Sequence, residues 1–305
     1  MYNLGIDIGG TAIKYGIVTP DHKIIEKGKI VTRSADGERA ILSDIADLCK
    51  SLSEKYEIPA IGVGSPGSIS EDSRYVVGAG NLPFHDTHIC DFLEKELNKP
   101  VFLENDGNAA LLGEKVAGEG KSFKDIIMLT IGTGVGGGIM IGGKIYHGHN
   151  NRAGELGHFV INCDGPDCPC GLNGCFEKYA SASALVKQAA SAIRANPHSR
   201  LAEIVENDPS RLDGKVIFAG LDANCDVARG VVYNYMRYLA IGINSLVKLF
   251  QPEIFVLAGG ITAEGDRFMD MLRPRLLPDA NVAISKLRND AGLIGASELY
   301  RYNKN

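Results

Sequence analysis

The sequence predicts an α/β protein of two lobes that share an origin. Two observations predict it: one strand–glycine turn–strand unit occurs twice, and apolar strands alternate with amphipathic helices. LGIDIGGTAIKYGIV (Leu4–Val18) is echoed by MLTIGTGVGGGIMI (Met128–Ile141). Each is an apolar strand, a Gly/Thr turn and a second apolar strand, and IGGT is answered by IGTG. A strand at Lys144–Tyr146 follows the second copy much as Lys23–Val31 follows the first, which points to an internal duplication. Residues 1–118 are expected to form a smaller N-terminal lobe. Residues 119–290 would form the larger one, and the last helix, within 291–305, would pack back on the first.

The elements follow in order. Leu4–Ile8, Ile13–Val18 and Lys23–Val31 read as three antiparallel strands with tight connections. Ile41, Ile45, Leu48 and Leu52 fall on one helical stripe within about Glu38–Tyr56. AIGVGSPG is a buried strand that ends in a Pro-Gly turn. VFLEND is another, followed by a helix over Gly107–Lys115, and either Asn105 or Asp106 could cap it. Helices are expected at Ala184–Ile193, Val227–Phe250, Glu264–Leu276 and Ala291–Tyr300. EIFVLAGG is a buried strand that runs into a Gly-Gly turn.

The 305 residues are enough for two cores, and the net charge of −5 argues against a general nucleic-acid or anionic-membrane surface. An anionic substrate stays open, because Gly-rich turns and helix starts bind phosphate through backbone N–H groups. No leader pattern precedes the first strand, and no apolar run reaches the length of a membrane span. The seven cysteines are an odd number, so a reducing, cytoplasmic setting is expected.

The glycine turns suggest a nucleotide. Asp7–Thr11 (DIGGT) and Ile131–Gly134 (IGTG) each place a flexible turn after an apolar strand, and LAGG (Leu257–Gly260) is a third. Gly9, Gly10, Thr11, Gly132, Thr133, Gly134, Gly259 and Gly260 are the candidate residues. Two such turns facing each other could clamp a triphosphate, with Asp7 holding Mg²⁺ through water. Lys14 could serve the phosphates, unless its strand points it away. The plainer reading is a set of hairpin turns. Neither a P-loop nor a dinucleotide fingerprint is present, since GxxxxGK[ST] is absent and GTGVGG leads into a strand.

The carboxylates have two readings each. Asp106 is a natural N-cap, and it is also a carboxylate at a strand's end, placed to take a proton from a substrate hydroxyl. Glu155 and His158 lie three apart in AGELGH, on one face if helical. They and Glu177 could be surface groups, or with Asn105 could form the polar ring that a sugar needs.

Gly157–Glu177 crowds one histidine and four thiols. His158, Cys168, Cys170 and Cys175 make a Cys₃His set suited to tetrahedral Zn²⁺, with no position left open for water. The compartment argues against a disulfide, the CxC spacing against a redox pair, and the scarcity of basic residues against a nucleic-acid knuckle. Cys163 is a spare that could replace Cys168. The metal reads as a structural clamp.

DIGGTAIK, ENDGNAALLGE, GTGVGGG, GELGH and CPCGLNGCFE together resemble the ROK family of sugar kinases and repressors, and LAGG extends the match to Gly260. The resemblance implies an actin-like, hexokinase-type ATPase fold with duplicated ribonuclease-H-like lobes around a central cleft. It implies ATP-dependent phosphorylation of a hexose at its 6-hydroxyl, with Mg²⁺. Asp106 would be the base. Asn105, Glu155, His158 and Glu177 would contact the sugar, and His158, Cys168, Cys170 and Cys175 would hold zinc. The first glycine motif and GTG would bind phosphates, with LAGG by the adenosine. ASAS after Tyr179 and NLPFHD (Asn81–Asp86) look most like the glucokinase branch, although Phe84 stands where many such sequences carry Trp. A homodimer or homotetramer is implied.

The alternatives are a kinase for N-acetylglucosamine, N-acetylmannosamine, mannose, fructose or allose, a filament or chaperone ATPase, and a sugar-sensing repressor. The repressor would need a DNA-reading module ahead of Asp7, where none is expected.

Overall fold

A computed structural model of the chain describes residues 2–303. Strands β1 (Asn3–Ile8), β2 (Ala12–Val18) and β3 (Ile24–Val31) form an antiparallel meander. Helix α1 (Glu38–Lys55) follows, and Ile41, Ile45, Cys49 and Leu52 make its buried stripe. β4 (Ile61–Ser65) pairs parallel with β1. A small antiparallel sheet of β5 (Ser68–Ile69), β6 (Val76–Gly78) and β7 (His85–Thr87) comes next, then α2 (Ile89–Leu97). β8 (Val101–Asn105) pairs parallel with β4 and passes directly into α3 (Asp106–Ala117).

The second half repeats the plan. β9 (Ile126–Ile131), β10 (Val135–Ile141) and β11 (Lys144–Ile145) form another meander. Helices α4 (Glu177–Ala180), α5 (Ala182–Ala195), α6 (Arg200–Ile204), α7 (Gly214–Asp222) and α8 (Asp226–Phe250) lead to β12 (Ile254–Ala258). After it come α9 (Asp266–Leu272), β13 (Val282–Ile284) and α10 (Ala291–Tyr302). The two large sheets have strand orders β3-β2-β1-β4-β8 and β11-β10-β9-β12-β13. Each is a meander whose first strand leads on to two later strands, so the duplication read from two short glycine motifs extends to whole sheets.

Among the described residues the chain divides into two compact bodies. The first comprises 2–128, 137–154 and 285–303; the second comprises 129–136 and 155–284. The core of the first is built by Leu4, Ile6, Ile13, Ile17, Ile41, Ile45, Ile61 and Val63. α10 packs on α3, β1 and β4, and residues 304–305 of the helix region expected from sequence lie outside the described residues. A Cβ at Gly62 would overlap the Ala296 carbonyl oxygen. Helix and strand there meet backbone to backbone, which only glycine permits. The core of the second body centres on the fully buried Phe176, Phe218, Tyr235, Phe255 and Phe268.

Some local details differ from expectation. The helix expected over Glu264–Leu276 is shorter and ends at Leu272, because Pro274 lies in a 3₁₀ turn, Arg273–Arg275, and cannot donate to an α-helical ladder. No helix among the described residues is long and apolar enough to cross a membrane.

Candidate active site and metal centre

In the first body, Asp7 and Lys14 face each other across β1 and β2. Directly opposed residues of an antiparallel pair share a face, so the lysine turns toward the carboxylate rather than away. Nζ lies 3.0 Å from Oδ2 of Asp7. The turn between the strands closes with Gly9 N–H donating to the Ala12 carbonyl at 3.1 Å. Thr32 braces it: its hydroxyl donates to Gly9 O at 2.7 Å and its N–H to Thr11 O at 3.0 Å. Thr11 itself is exposed.

Asn105 and Asp106 stand two strands away from Asp7 along the same parallel edge. Asp7 is in register with Gly64 of β4, and Ser65 with Asn105 of β8. The α3 cap belongs to Asn105, whose side chain accepts from the N–H groups of Gly107 at 2.9 Å and Asn108 at 3.3 Å. Its amide also donates to Gly67 O at 3.2 Å. Asp106 is the first helical residue, with Oδ1 accepting from Gly107 N–H at 2.9 Å. It therefore sits where the helix dipole favours an anionic carboxylate.

Sequence reasoning missed the support beneath this pair. Glu104 is buried, and its Oε1 accepts from the Asn105 N–H at 2.8 Å and from Nδ2 of Asn108 at 3.0 Å. Its Oε2 lies 2.7 Å from Nε2 of His147, whose pKa the Glu104 hydrogen bond raises. A signal existed: a charged residue inside a buried strand needs a partner.

In the second body, the Gly132–Gly134 turn lies at the surface, with Gly132 and Thr133 exposed. Gly259, at φ +109°, packs against Ile131, the residue before this turn, so the structure brings the GTG and LAGG turns together. Glu155 and His158 belong to the same body but not to a helix. The segment forms turns, and His158 N–H donates to Glu155 O at 3.0 Å. Glu177 opens α4, and its Oε2 accepts from the Val135 N–H at 3.0 Å.

The ligand atoms of His158, Cys168, Cys170 and Cys175 all lie within 4.8 Å of one another. Nδ1 of His158 is 3.5 Å from Sγ of Cys168, and the sulfurs of Cys170 and Cys175 are 3.5 Å apart. Tetrahedral zinc with Zn–S bonds of about 2.3 Å sets sulfurs about 3.8 Å apart, so donor chemistry and spacing both fit. A tight loop forms the site. Cys168 N–H donates to Leu172 O at 2.8 Å, and Gly171 N–H to Cys168 O at 3.0 Å. Burial pushes the Cys175 thiol up to about 12, while the Leu172 N–H beside Cys170 lowers that thiol. Cys163 is exposed and is not one of the four.

Comparison with known proteins gives the family. The sequence model of the ROK family matches residues 3–303. The glucokinase of Halalkalibacterium halodurans is 37% identical, over 99% of this chain and 96% of that protein. A ROK family glucokinase from Streptomyces griseus, solved in complex with glucose and AMPPNP, superposes with a TM-score of 0.85 at 32% identity, covering 98% of this chain and 99% of that one. The ROK hexokinase of Thermus thermophilus superposes at 0.84 with 31% identity, covering 100% and 99%.

Proposed function

The chain belongs to the ROK family and is an ATP:sugar phosphotransferase of the actin-like, hexokinase-type fold, and we propose that it phosphorylates glucose at the 6-hydroxyl. The observation that carries this reading is Asp106, a carboxylate at the carboxyl end of a parallel strand, fixed at the first turn of α3 beside the capping Asn105. A base there takes the proton of the attacking hydroxyl, and the rest of the catalysis is positioning and charge neutralisation.

The other roles follow from the same reading. Asn105, Glu155, His158 and Glu177 hold the sugar. Gly9, Gly10, Thr11, Gly132, Thr133 and Gly134 take the phosphates, with Gly259 and Gly260 at the adenosine. Asp7 would hold Mg²⁺. Its single carboxylate, already paired with Lys14, fits an ion held through water and phosphate oxygens rather than in a protein cage. Mg²⁺ would neutralise charge on the transferring phosphoryl group. The Cys₃His set would hold zinc as a closed structural site. A homodimer or homotetramer in the cytoplasm completes the reading.

A coupled ADP-release assay with Mg-ATP tests it, using glucose, mannose, fructose, N-acetylglucosamine and N-acetylmannosamine in parallel. Glucose is expected to give the highest kcat/KM. A preference for an N-acetyl sugar replaces the substrate and keeps the chemistry. No stimulation by any sugar defeats the kinase reading.

A further inference from the structure

Glu177 lies two residues past the metal ligand Cys175, yet its carboxylate points to a different part of the second body. Oε2 accepts from the backbone N–H of Val135 at 3.0 Å. The same oxygen fills the space in which a Cβ at Gly134 would stand. This carboxylate therefore closes one side of the Gly132–Gly134 turn. A second bond joins the same two segments, with Ala182 N–H donating to Gly132 O at 2.9 Å.

What holds Glu177 is equally specific. Phe176 is fully buried and its ring sits against Gly242 of α8, where a Cβ would overlap it. Phe176 N–H donates to Phe159 O at 2.9 Å, and Glu177 N–H to Gly157 O at 2.8 Å. Gly157 in turn abuts the Val135 carbonyl. Cys175, Phe176 and Glu177 thus form a ligand, a plug and an arm in sequence. The metal loop and the glycine turn are stitched together through side chain and backbone alike.

We propose that Glu177 is a positioning residue for the nucleotide, holding the Gly132–Gly134 turn in the form that receives phosphate, with the metal loop as its anchor. The inference rests on the reading of that turn as a phosphate site. It adds that the metal loop serves ATP as well as the sugar. A flexible turn of two glycines and a threonine must be ordered before its backbone can bind an anion, and a carboxylate already bonded to Val135 N–H removes that ordering cost from the binding step. The acceptor function needs reach and an oxygen; it does not need charge.

The experiment separates reach from charge. Calorimetric titration with AMPPNP and Mg²⁺, in the absence of sugar, is run on the wild-type protein, Glu177→Asp and Glu177→Gln. Zinc content and Tm are recorded for each. Asp keeps the charge but falls one methylene short of Val135. Gln keeps an acceptor oxygen at the same reach. The expected result is a loss of AMPPNP affinity of about five- to tenfold for Asp, the worth of one ordinary hydrogen bond, and less than about threefold for Gln on the same scale. Equal AMPPNP affinity in all three proteins, with only the KM for sugar changed, would sink the proposal. So would Gln losing as much as Asp. Failure of the kinase reading looks different: the wild-type protein would then show no sugar-dependent ADP release.

Discussion

The Glu104 carboxylate and the His147 imidazole meet at 2.7 Å, and Glu104 directly precedes the Asn105–Asp106 pair at the junction of β8 and α3. The hydrogen bond that the His147 ring N–H donates to Glu104 raises the pKa of His147 above its ordinary value of about 6.5. Such a group binds its proton more tightly when folded. Its stabilisation is complete below the unfolded pKa and is lost as pH rises through the folded one. The gap in Tm between the wild-type protein and His147→Gln should therefore be widest below about pH 6.5 and narrow at higher pH. A gap that stays constant from pH 5.5 to 9 would show that the pair does not titrate as described.

Asp106→Asn should leave the fold and glucose affinity intact, because the amide oxygen can still accept from Gly107 N–H. Turnover should fall by about 10²–10⁴-fold, the usual worth of a general base. Steady-state ADP release with a parallel glucose-binding titration checks both halves. Undiminished turnover would remove Asp106 from the base role.

Asn105→Ala removes the two cap bonds of α3 and the bond to Gly67 O. Loss of a cap costs about 0.5–2 kcal/mol, and the lost Gly67 bond argues for the upper end. Urea denaturation should show a lower midpoint with an unchanged slope. No change in midpoint would mean that another group caps the helix.

Purified protein should carry about one zinc per chain, the stoichiometry of a closed four-ligand site. Cys170 gives the cleanest test, because it is the exposed cysteine of the four ligands and adds little to packing. Cys170→Ser should lower both zinc content and Tm, and a chelator should lower the Tm of the wild-type protein only. Elemental analysis that finds no metal in active wild-type protein would overturn the assignment.

Repeated patterns were legible in the sequence; single long-range contacts were not. IGGT and IGTG announced two equivalent sheets, since a strand–turn–strand unit is a local pattern. CPCG with Cys175 and His158 announced the Cys₃His cluster that the structure brings together, because tetrahedral coordination restricts the residue types. The cap of α3 stayed open because Asn105 and Asp106 are both good caps, and only backbone dihedrals choose between them. Lys14 was ambiguous until the β1–β2 register placed it opposite Asp7. Glu155 and His158 have helical spacing, but the segment makes a single turn, closed by His158 N–H on Glu155 O, and does not go on into a helix. The reach of Glu177 to Val135 spans 42 positions, and no spacing rule could reveal it.

The equal strand orders of the two sheets have a consequence for how such a protein diversifies. The copies differ mainly in what interrupts them. In the first, residues 66–100 between β4 and β8 carry the small sheet and α2; in the second, residues 146–253 between β11 and β12 carry the metal loop and α4 to α8. Each insertion leaves from one strand and returns to another without altering the strand order. The Gly9–Thr11 and Gly132–Gly134 turns thus lie inside the repeated meanders, and the small sheet and the Cys₃His loop lie in the insertions between repeated strands.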